Sequence, residues 1–348
     1  IWEDWHPFAQ KPDSIDRHIL KFQGDDVTGI GEACKDSLVL IGTGDMLGDM
    51  AGGTGRQERA GNPGQHWADS FRADCGRVAE LLEGAASARL RSLRWFGSPL
   101  VEIAASRALQ EDLIASAGPR HDAHGFDRFG WRPPPPLRQG AVTPSVWHLP
   151  DLPTRPWFPS DAIDRRLEAA HASVLAEFTN MRAAMQPHPD SEEIVTRGAW
   201  PALIVIGAGG EMPEARTRLP ALMSLVDALP VCGNFGFVFF AGTVAGTQIA
   251  AHSGSTNLRA RRHLALSVAD DTDAAMVVDG EARPWVMGRC MTFDDAFAHS
   301  VEHRSGGDRV ILSVDTWHPS LSEAEVAVLS DPVFPRFGKI TQAPVAPD

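Results

Sequence analysis

The chain has no tyrosine, only four lysines against 28 arginines, and four cysteines spread over 348 residues. The missing tyrosine removes one general acid and one radical site from any mechanism. Cys34, Cys75, Cys232 and Cys290 form no CxxC pair, and their spacing suits neither a zinc site nor a dense disulfide framework. Reduced, mostly buried thiols are the expectation, as in a cytoplasmic protein. The scarcity of lysine beside arginine hints at a GC-rich bacterial genome and says nothing about mechanism. No apolar run approaches the roughly 18–20 residues of a membrane span; the best, Leu38–Ile41 and Phe235–Phe240, are short. No signal-peptide pattern is visible, which again gives a cytoplasmic expectation. A basic excess is lacking too. With 32 basic and 45 acidic residues the net charge is −13, which argues against a nucleic-acid or membrane-surface partner.

What is present is enough apolar material, 43%, to build a sizeable core, in a chain too long for one ordinary small domain. Residues 132–159 hold nine prolines, four of them consecutive from Pro133 to Pro136. Proline fixes φ and removes an amide donor, so this stretch is expected to be an extended, semi-rigid linker. It separates an accessory region, 1–131, from a second domain expected over 147–335, with a tail at 336–348. Up to residue 150 the charges are 16 basic and 20 acidic (−4); beyond it they are 16 and 25 (−9).

Apolar residues at three- and four-residue spacing predict helices over Asp74–Trp95 and Pro99–Ala117 in the front region. After the linker, Ser160–Met185 is expected as one long amphipathic helix with Ser160 as N-cap, and a second helix is expected over Pro213–Leu229. Then the texture turns to strands: Leu203–Ile206, Gly236–Phe240, Gln248–His252, His263–Val268, Ala275–Val278, Cys290–Phe293, Ser300–His303 and Val310–Val314. Many short strands with helices ahead of them suggest a mainly β fold with some α, a jelly roll or double-layered barrel. The connections are too short for a doubly wound α/β sheet. Two segments, Leu38–Gly48 and Leu203–Gly210, imitate the strand-to-glycine turn of a dinucleotide fold. Neither completes GxGxxG, so ordinary turns are the simpler account, with a nucleotide-dependent enzyme as a distant alternative.

The chemistry-bearing stretch runs from Gly246 to Pro319. Alternate side chains of a strand share a face, so Arg259, Arg261 and His263 can point the same way. Three cation-capable groups on one face of an acidic domain need anions, either internal salt bridges or a ligand's carboxylates. Arg309, heading an apolar strand, could supply another carboxylate fork. His252 ends one strand and His299 lies beside another; imidazole suits iron, zinc, copper or nickel. A facial-triad iron site would add a carboxylate two residues after the first histidine, and that position is Gly254. A non-catalytic β-barrel that keeps the histidines for structure stays open at this point.

The order His252-Ser253-Gly254, Arg259-x-Arg261-x-His263-Leu264, Phe293-Asp294-Asp295-x-Phe297-x-His299, Arg309 and Trp317-His318-Pro319 resembles the aspartyl/asparaginyl β-hydroxylase family. The resemblance covers roughly Trp147 to Leu329, including Arg155-Pro156-Trp157. It implies a double-stranded β-helix of the cupin-like kind and an Fe(II)- and 2-oxoglutarate-dependent dioxygenase that uses O2. It implies His252 and His299 as the iron ligands, with no carboxylate; whether water or a third side chain completes the site stays open. Arg309 would hold the distal carboxylate of 2-oxoglutarate with His263 at the same cosubstrate; Arg261, and with it Arg259, would meet a carboxylate or amide of the prime substrate. Asp294, Asp295, Trp317 and His318 would be structural. A serine the family often places eleven residues before the first ligand is Ala241 here, so Thr243 or a water must substitute, and the usual Pro-Gly of the next turn is Ala245-Gly246. The implied reaction is hydroxylation, most naturally at the β-carbon of an Asp or Asn. A small-molecule, peptide or carrier-bound natural-product substrate stays open, as does the role of the front region: lid, carrier dock, homodimer contact or plain buttress.

Overall fold

The computed structural model describes residues 77, 78, 80–95, 137–207, 210–332 and 334. They fall into two compact units, one holding 137–326 and the other the described residues of 77–95 and 327–334. In the smaller unit, helical turns at 77–78 and 80–84 give way to a 3-10 turn at Ala88–Ser92 and a strand at Arg94–Trp95. The expected Asp74–Trp95 helix is thus broken after Gly84, with Val78, Leu82, Leu90 and Leu93 buried. The expected Pro99–Ala117 helix and the Leu38–Gly48 turn lie outside the described residues, as do Cys34 and Cys75.

The larger unit is built on ten strands: β1 (Trp157–Phe158), β2 (Pro201–Gly207), β3 (Val238–Thr243), β4 (Gln248–His252), β5 (Arg259–Val268), β6 (Asp273–Val278), β7 (Glu281–Pro284), β8 (Cys290–Phe293), β9 (His299–Ser305) and β10 (Arg309–Trp317). The larger sheet runs β1-β8-β5-β10-β3-β2 and ends on a two-residue strand at Gln186–Pro187. The smaller runs β7-β6-β9-β4 and ends on Val195–Arg197. From β3 onward the chain alternates between the sheets apart from the β6–β7 hairpin, and every pairing among these strands is antiparallel. This is the double-stranded β-helix, or jelly roll. Two faces with period-2 patterning, one meeting helices and one meeting the opposite sheet, make its strands nearly continuous in burial; β10 is buried at all nine positions.

Helices α1 (Ala162–Ala169), α2 (His171–Met181) and α3 (Pro220–Asp227) supply the outer layer. Phe178 of α2 packs on Phe240 of β3 with ring centroids 4.9 Å apart. The single helix expected over Ser160–Met185 is two helices joined at Ala170. Its N-cap is Asp161, whose carboxylate accepts from the amides of Ile163 and Asp164 while Asp164 answers in a capping box. The same two carboxylates hold the buried Arg262, Nη2 to Asp161 at 2.8 Å and Nη1 to Asp164 at 2.5 Å, which ties α1 to β5. Pro213–Leu229 likewise divides, because Leu219 precedes Pro220 and takes a non-helical backbone (φ −131°).

The proline-rich segment is extended where it is described, but it lies on the jelly roll. Thr143 and Ser145 donate backbone hydrogen bonds to Ala296 and Gly254, Asn257 exchanges two with Leu149, and β1 pairs with β8. Leu203–Gly210 resolves into β2 and an antiparallel return at Gly210–Glu211. A hairpin has no helix N-terminus to receive a pyrophosphate, so that turn is not a dinucleotide site. No helix among the described residues is long and apolar enough to cross a membrane. Cys232 and Cys290 are free thiols, and burial pushes both above the usual thiol range.

Candidate active site

The jelly roll's interior is lined by the odd-numbered side chains of β5 and β10. Those of β5 are Arg259, Arg261, His263 and Ala265; those of β10 are Arg309, Ile311, Ser313, Asp315 and Trp317. The even-numbered neighbours, Arg262 and Thr316 among them, face the helices, where Arg262 Nε donates to Thr316 Oγ1 at 3.0 Å. The Arg-Ala-Arg-Arg-His run therefore sends two arginines and a histidine inward and one arginine outward, as strand alternation requires.

His252, at the end of β4, stands directly opposite His299, at the start of β9. Their rings lie 4.1 Å apart between centroids, at 54°. His252 Nδ1 meets the Ala250 carbonyl at 2.8 Å and His299 Nδ1 meets the Phe297 carbonyl at 2.9 Å. A carbonyl only accepts, so each Nδ1 carries the proton and each Nε2 keeps its lone pair, the tautomer a metal-binding imidazole needs. Burial lowers both imidazole pKa values, and the two rings' proximity adds to this at His299, which is pushed down to about 3. Both are neutral at pH 7, again as ligation requires.

Among the described residues no third His, Cys, Asp or Glu joins them in a cluster able to hold a metal. Gly254 shows why its own position supplies none. A Cβ there would sit 2.2 Å from Oδ2 of Asp295, so the space is already filled by another residue's carboxylate. The donor set fits a cation that accepts two imidazoles and takes its remaining ligands from small molecules, as iron does.

Next to this pair lies a closed charge cluster. Arg259 forks onto Asp295 (Nε to Oδ1 3.2 Å, Nη2 to Oδ2 2.6 Å), reaches Asp315 at 3.4 Å and donates to the Phe235 carbonyl. Arg261 forks onto Asp315 (both contacts 2.8 Å) and reaches Asp295 at 3.1 Å. Two guanidiniums thus meet two carboxylates. Burial alone would raise the Asp295 pKa, but Arg259 and Arg261 outweigh it and hold the carboxyl well below its usual range. Neighbouring Asp294 has no such partner, and burial raises its pKa well above the ordinary value. Arg259, expected at the prime substrate, is 2% exposed and enclosed by these partners. Its role in this geometry is internal. Arg261 keeps a side chain 14% exposed and is the more accessible arginine of the cluster.

The opposite end of the interior is built differently. Among the described residues no carboxylate pairs with Arg309, which is also 2% exposed. Its Nε donates to Thr243 Oγ1 at 3.2 Å, and its guanidinium lies 4.1 Å from the ring centre of Trp285. Burial lowers its pKa to about 9. Thr243 stands opposite Arg309 in the β3–β10 register and meets His303 Nδ1, from the facing sheet, at 3.0 Å. Thr243 thus contacts the arginine that the sequence singled out, rather than standing apart from it. Ala241, two residues earlier on β3, faces Ile311 and offers no polar group. Between the two ends lies His263, 6% exposed, nearly parallel to Trp285 (18°, 6.3 Å) and with Nδ1 unpartnered.

The structure therefore gathers His252, His299, Arg261, His263, Arg309 and Thr243 in one interior and sets Arg259 behind them. Sequence reasoning missed Asp315 as the second carboxylate of the cluster, and it missed His303, Trp285 and Ser313. The Asp-Asp pair at 294–295 and the inward alternation of β10 carried part of that signal; His303 and Trp285 carried none.

A family model described as aspartyl/asparaginyl beta-hydroxylase matches residues 168–319. Aspartate beta-hydroxylase domain-containing protein 2 of Xenopus tropicalis is 35% identical over 210 residues, covering 57% of this chain and 56% of that protein. Human aspartyl/asparaginyl beta-hydroxylase is 28% identical over 136 residues, covering 38% of this chain and 18% of that protein. The chain spans about half the length of the first of these relatives. Among solved structures, a Trichoplax adhaerens prolyl hydroxylase in complex with a hypoxia inducible factor peptide fragment shares 13% identity over 47% of this chain and 83% of that one, with a TM-score of 0.33. The chain's similarity to the aspartyl/asparaginyl β-hydroxylase family lies in residues 168–319.

Proposed function

We propose that the protein is an Fe(II)- and 2-oxoglutarate-dependent dioxygenase that hydroxylates an unactivated C–H bond of a substrate bearing a carboxyl or amide group. The β-carbon of an aspartyl or asparaginyl side chain is the leading candidate. The observation that carries this is Arg309, a buried guanidinium without a carboxylate, in the same interior as two neutral, oriented imidazoles. An unpaired buried cation is costly, and a ligand carboxylate in a bidentate contact relieves it.

In this account His252 and His299 hold the iron through Nε2. The bound metal supplies the oxidative chemistry by activating O2 at the expense of 2-oxoglutarate. Arg309 anchors the distal carboxylate of 2-oxoglutarate, Thr243 fixes the guanidinium's orientation, and His263 stands beside the cosubstrate. Trp285 covers the guanidinium and excludes water from it. Arg261 turns its accessible edge toward the substrate's carboxyl or amide and sets which carbon faces the metal. Its charge is already balanced by Asp295 and Asp315, so it contributes direction through its spare N–H groups more than net attraction.

Anaerobic titration with Fe(II) and 2-oxoglutarate should raise a visible metal-to-ligand charge-transfer band. Admission of O2 with substrate should yield succinate and a product heavier by one oxygen. His252→Ala should lose both while keeping its far-UV circular dichroism. Absence of the band in the parent protein would overturn the assignment. A screen of free aspartate, Asp-containing peptides and carrier-bound aspartate separates the substrate classes.

A further inference from the structure

From Val310 to Val314 strand β10 reads Val-Ile-Leu-Ser-Val, apolar except at Ser313. Ser313 has no exposed surface, and its hydroxyl has no hydrogen-bond partner. A hydroxyl left unbonded in a dry interior is unfavourable, and alanine would fit an interior strand without that penalty. Its direction is set by the strand. Arg309 and Asp315, on the same face, both point into the interior, where one meets Thr243 and the other Arg261. Ser313 lies between them. Its cross-strand neighbours are Phe239 on β3, which has no polar atom to offer, and His263 on β5. His263 is itself buried with Nδ1 unpartnered. Two unsatisfied polar atoms therefore stand opposite each other in register on adjacent strands, close enough to address one small ligand. Along β10 they lie between Arg309 and the Arg261–Asp315 pair.

We infer that Ser313 is a cosubstrate-binding residue. Its Oγ–H donates to an oxygen of the 2-oxo dicarboxylate that Arg309 anchors, on the side of the ligand away from Arg309, next to His263. This rests on the oxygenase assignment above and adds to it a contact that the sequence motifs do not include. The hydroxyl is retained against its own unfavourable burial because the bound ligand satisfies it.

Ser313→Ala, made in the whole chain, tests this by two readouts that a packing role would move the other way. Thermal melting of the metal-free protein should be unchanged or raised, since the variant removes an unbonded hydroxyl. Calorimetric titration with 2-oxoglutarate in the presence of Mn(II), without O2, should show about tenfold weaker binding, the order expected for one hydrogen bond to a charged ligand. Mn(II) affinity without 2-oxoglutarate should not change. Lowered melting, or 2-oxoglutarate affinity equal to the parent's, would overturn the inference. Arg309→Met serves as the reference. If the parent binds 2-oxoglutarate, Arg309→Met does not, and Ser313→Ala binds like the parent, only the Ser313 contact fails. If the parent itself does not bind 2-oxoglutarate, the oxygenase assignment fails and takes the contact with it.

Discussion

Two ends of one interior hold buried arginines under opposite conditions. At one, Arg259 and Arg261 are matched by Asp295 and Asp315 at 2.6–3.4 Å, and four formal charges sum to zero. At the other, Arg309 is as deeply buried yet has only a threonine hydroxyl and a tryptophan face. Burial costs a guanidinium its hydration in both places. Where the protein itself supplies the compensating charge, the arginines tie strands together; where it does not, the proposed cosubstrate would bring it. The location of a missing counter-charge is thus a better guide to the proposed cosubstrate-binding end of this barrel than the density of arginine, which marks the self-compensated end.

The largest effect separating the ends should come from breaking the balanced one. Asp295→Ala leaves Arg259 and Arg261 facing a single carboxylate in a site where Asp295 is wholly buried. Removing one partner of a buried pair typically costs about 3–5 kcal/mol. Urea unfolding should show a loss of that size. A loss under about 1 kcal/mol would mean that water or a rearranged Asp294 takes over the charge.

Arg309→Met makes the opposite cut. It replaces an unmatched buried cation by an apolar side chain of similar length, so stability without ligand should be unchanged or slightly higher. Binding of 2-oxoglutarate should weaken by roughly 2–5 kcal/mol, at least about thirtyfold in Kd. A variant that unfolds more easily yet binds 2-oxoglutarate normally would show that Arg309 is structural and that the contrast between the ends is false.

The ends should also fail at opposite ends of the pH scale. Asp295 has a folded pKa held below its unfolded value of about 3.9, so its contribution is complete above that pH and is lost as pH falls through the folded value. Arg309 has a folded pKa lowered by burial to about 9, so attraction for a carboxylate should fade as pH rises through that point. Unfolding measured from pH 7 down to 2 should be less acid-sensitive in Asp295→Asn. Binding of 2-oxoglutarate measured from pH 7 to 10 should weaken toward the upper end. Binding that holds constant to pH 10 would show that the guanidinium keeps its proton in spite of burial, and would remove the alkaline half of the contrast.

How much of this was legible in the sequence differs between fold and site for physical reasons. Strand positions follow from local alternation, and the eight expected strands are all present: two keep the expected bounds, Gly236–Phe240 shifts to Val238–Thr243, and five are extended by two to four residues, where polar ends such as Arg259 and Arg309 continue the ladder. β1 and β7 were missed because a strand of two to four residues such as Glu281–Pro284 has too little pattern to register. The break at Ala170 carried no glycine or proline, and the Asp161 cap lay one residue past the serine expected to serve. In the site, the inward face Arg259-Arg261-His263 could be derived from period two alone. Its partners could not. Asp295 lies 36 residues from Arg259, and His303 lies 60 from Thr243. Such contacts are decided by how two sheets face each other, which no local periodicity encodes. The internal-salt-bridge account of the arginine face, weighed alongside the ligand account, describes Arg259. The ligand account is the one proposed for Arg309, which heads an apolar strand and whose neighbour in sequence, Asp308, pairs with Arg182 instead.

The smallest predicted effect tests whether the unbalanced end is organised or merely uncompensated. Thr243 Oγ1 is the one hydrogen-bonding group at Arg309 Nε, and it also joins His303 of the facing sheet. Valine keeps the shape and removes the hydroxyl, so Thr243→Val should leave Arg309 charged and buried but free to rotate. The cost is that of about one hydrogen bond, roughly 0.5–1.5 kcal/mol, or two- to tenfold weaker binding of 2-oxoglutarate. Because the charge itself remains, the loss must be smaller than in Arg309→Met, and metal affinity at His252 and His299 should not move. Equal losses in the two variants would mean that orientation, rather than charge, is what Arg309 contributes. No loss in Thr243→Val would leave Trp285 as the group that holds the guanidinium in place.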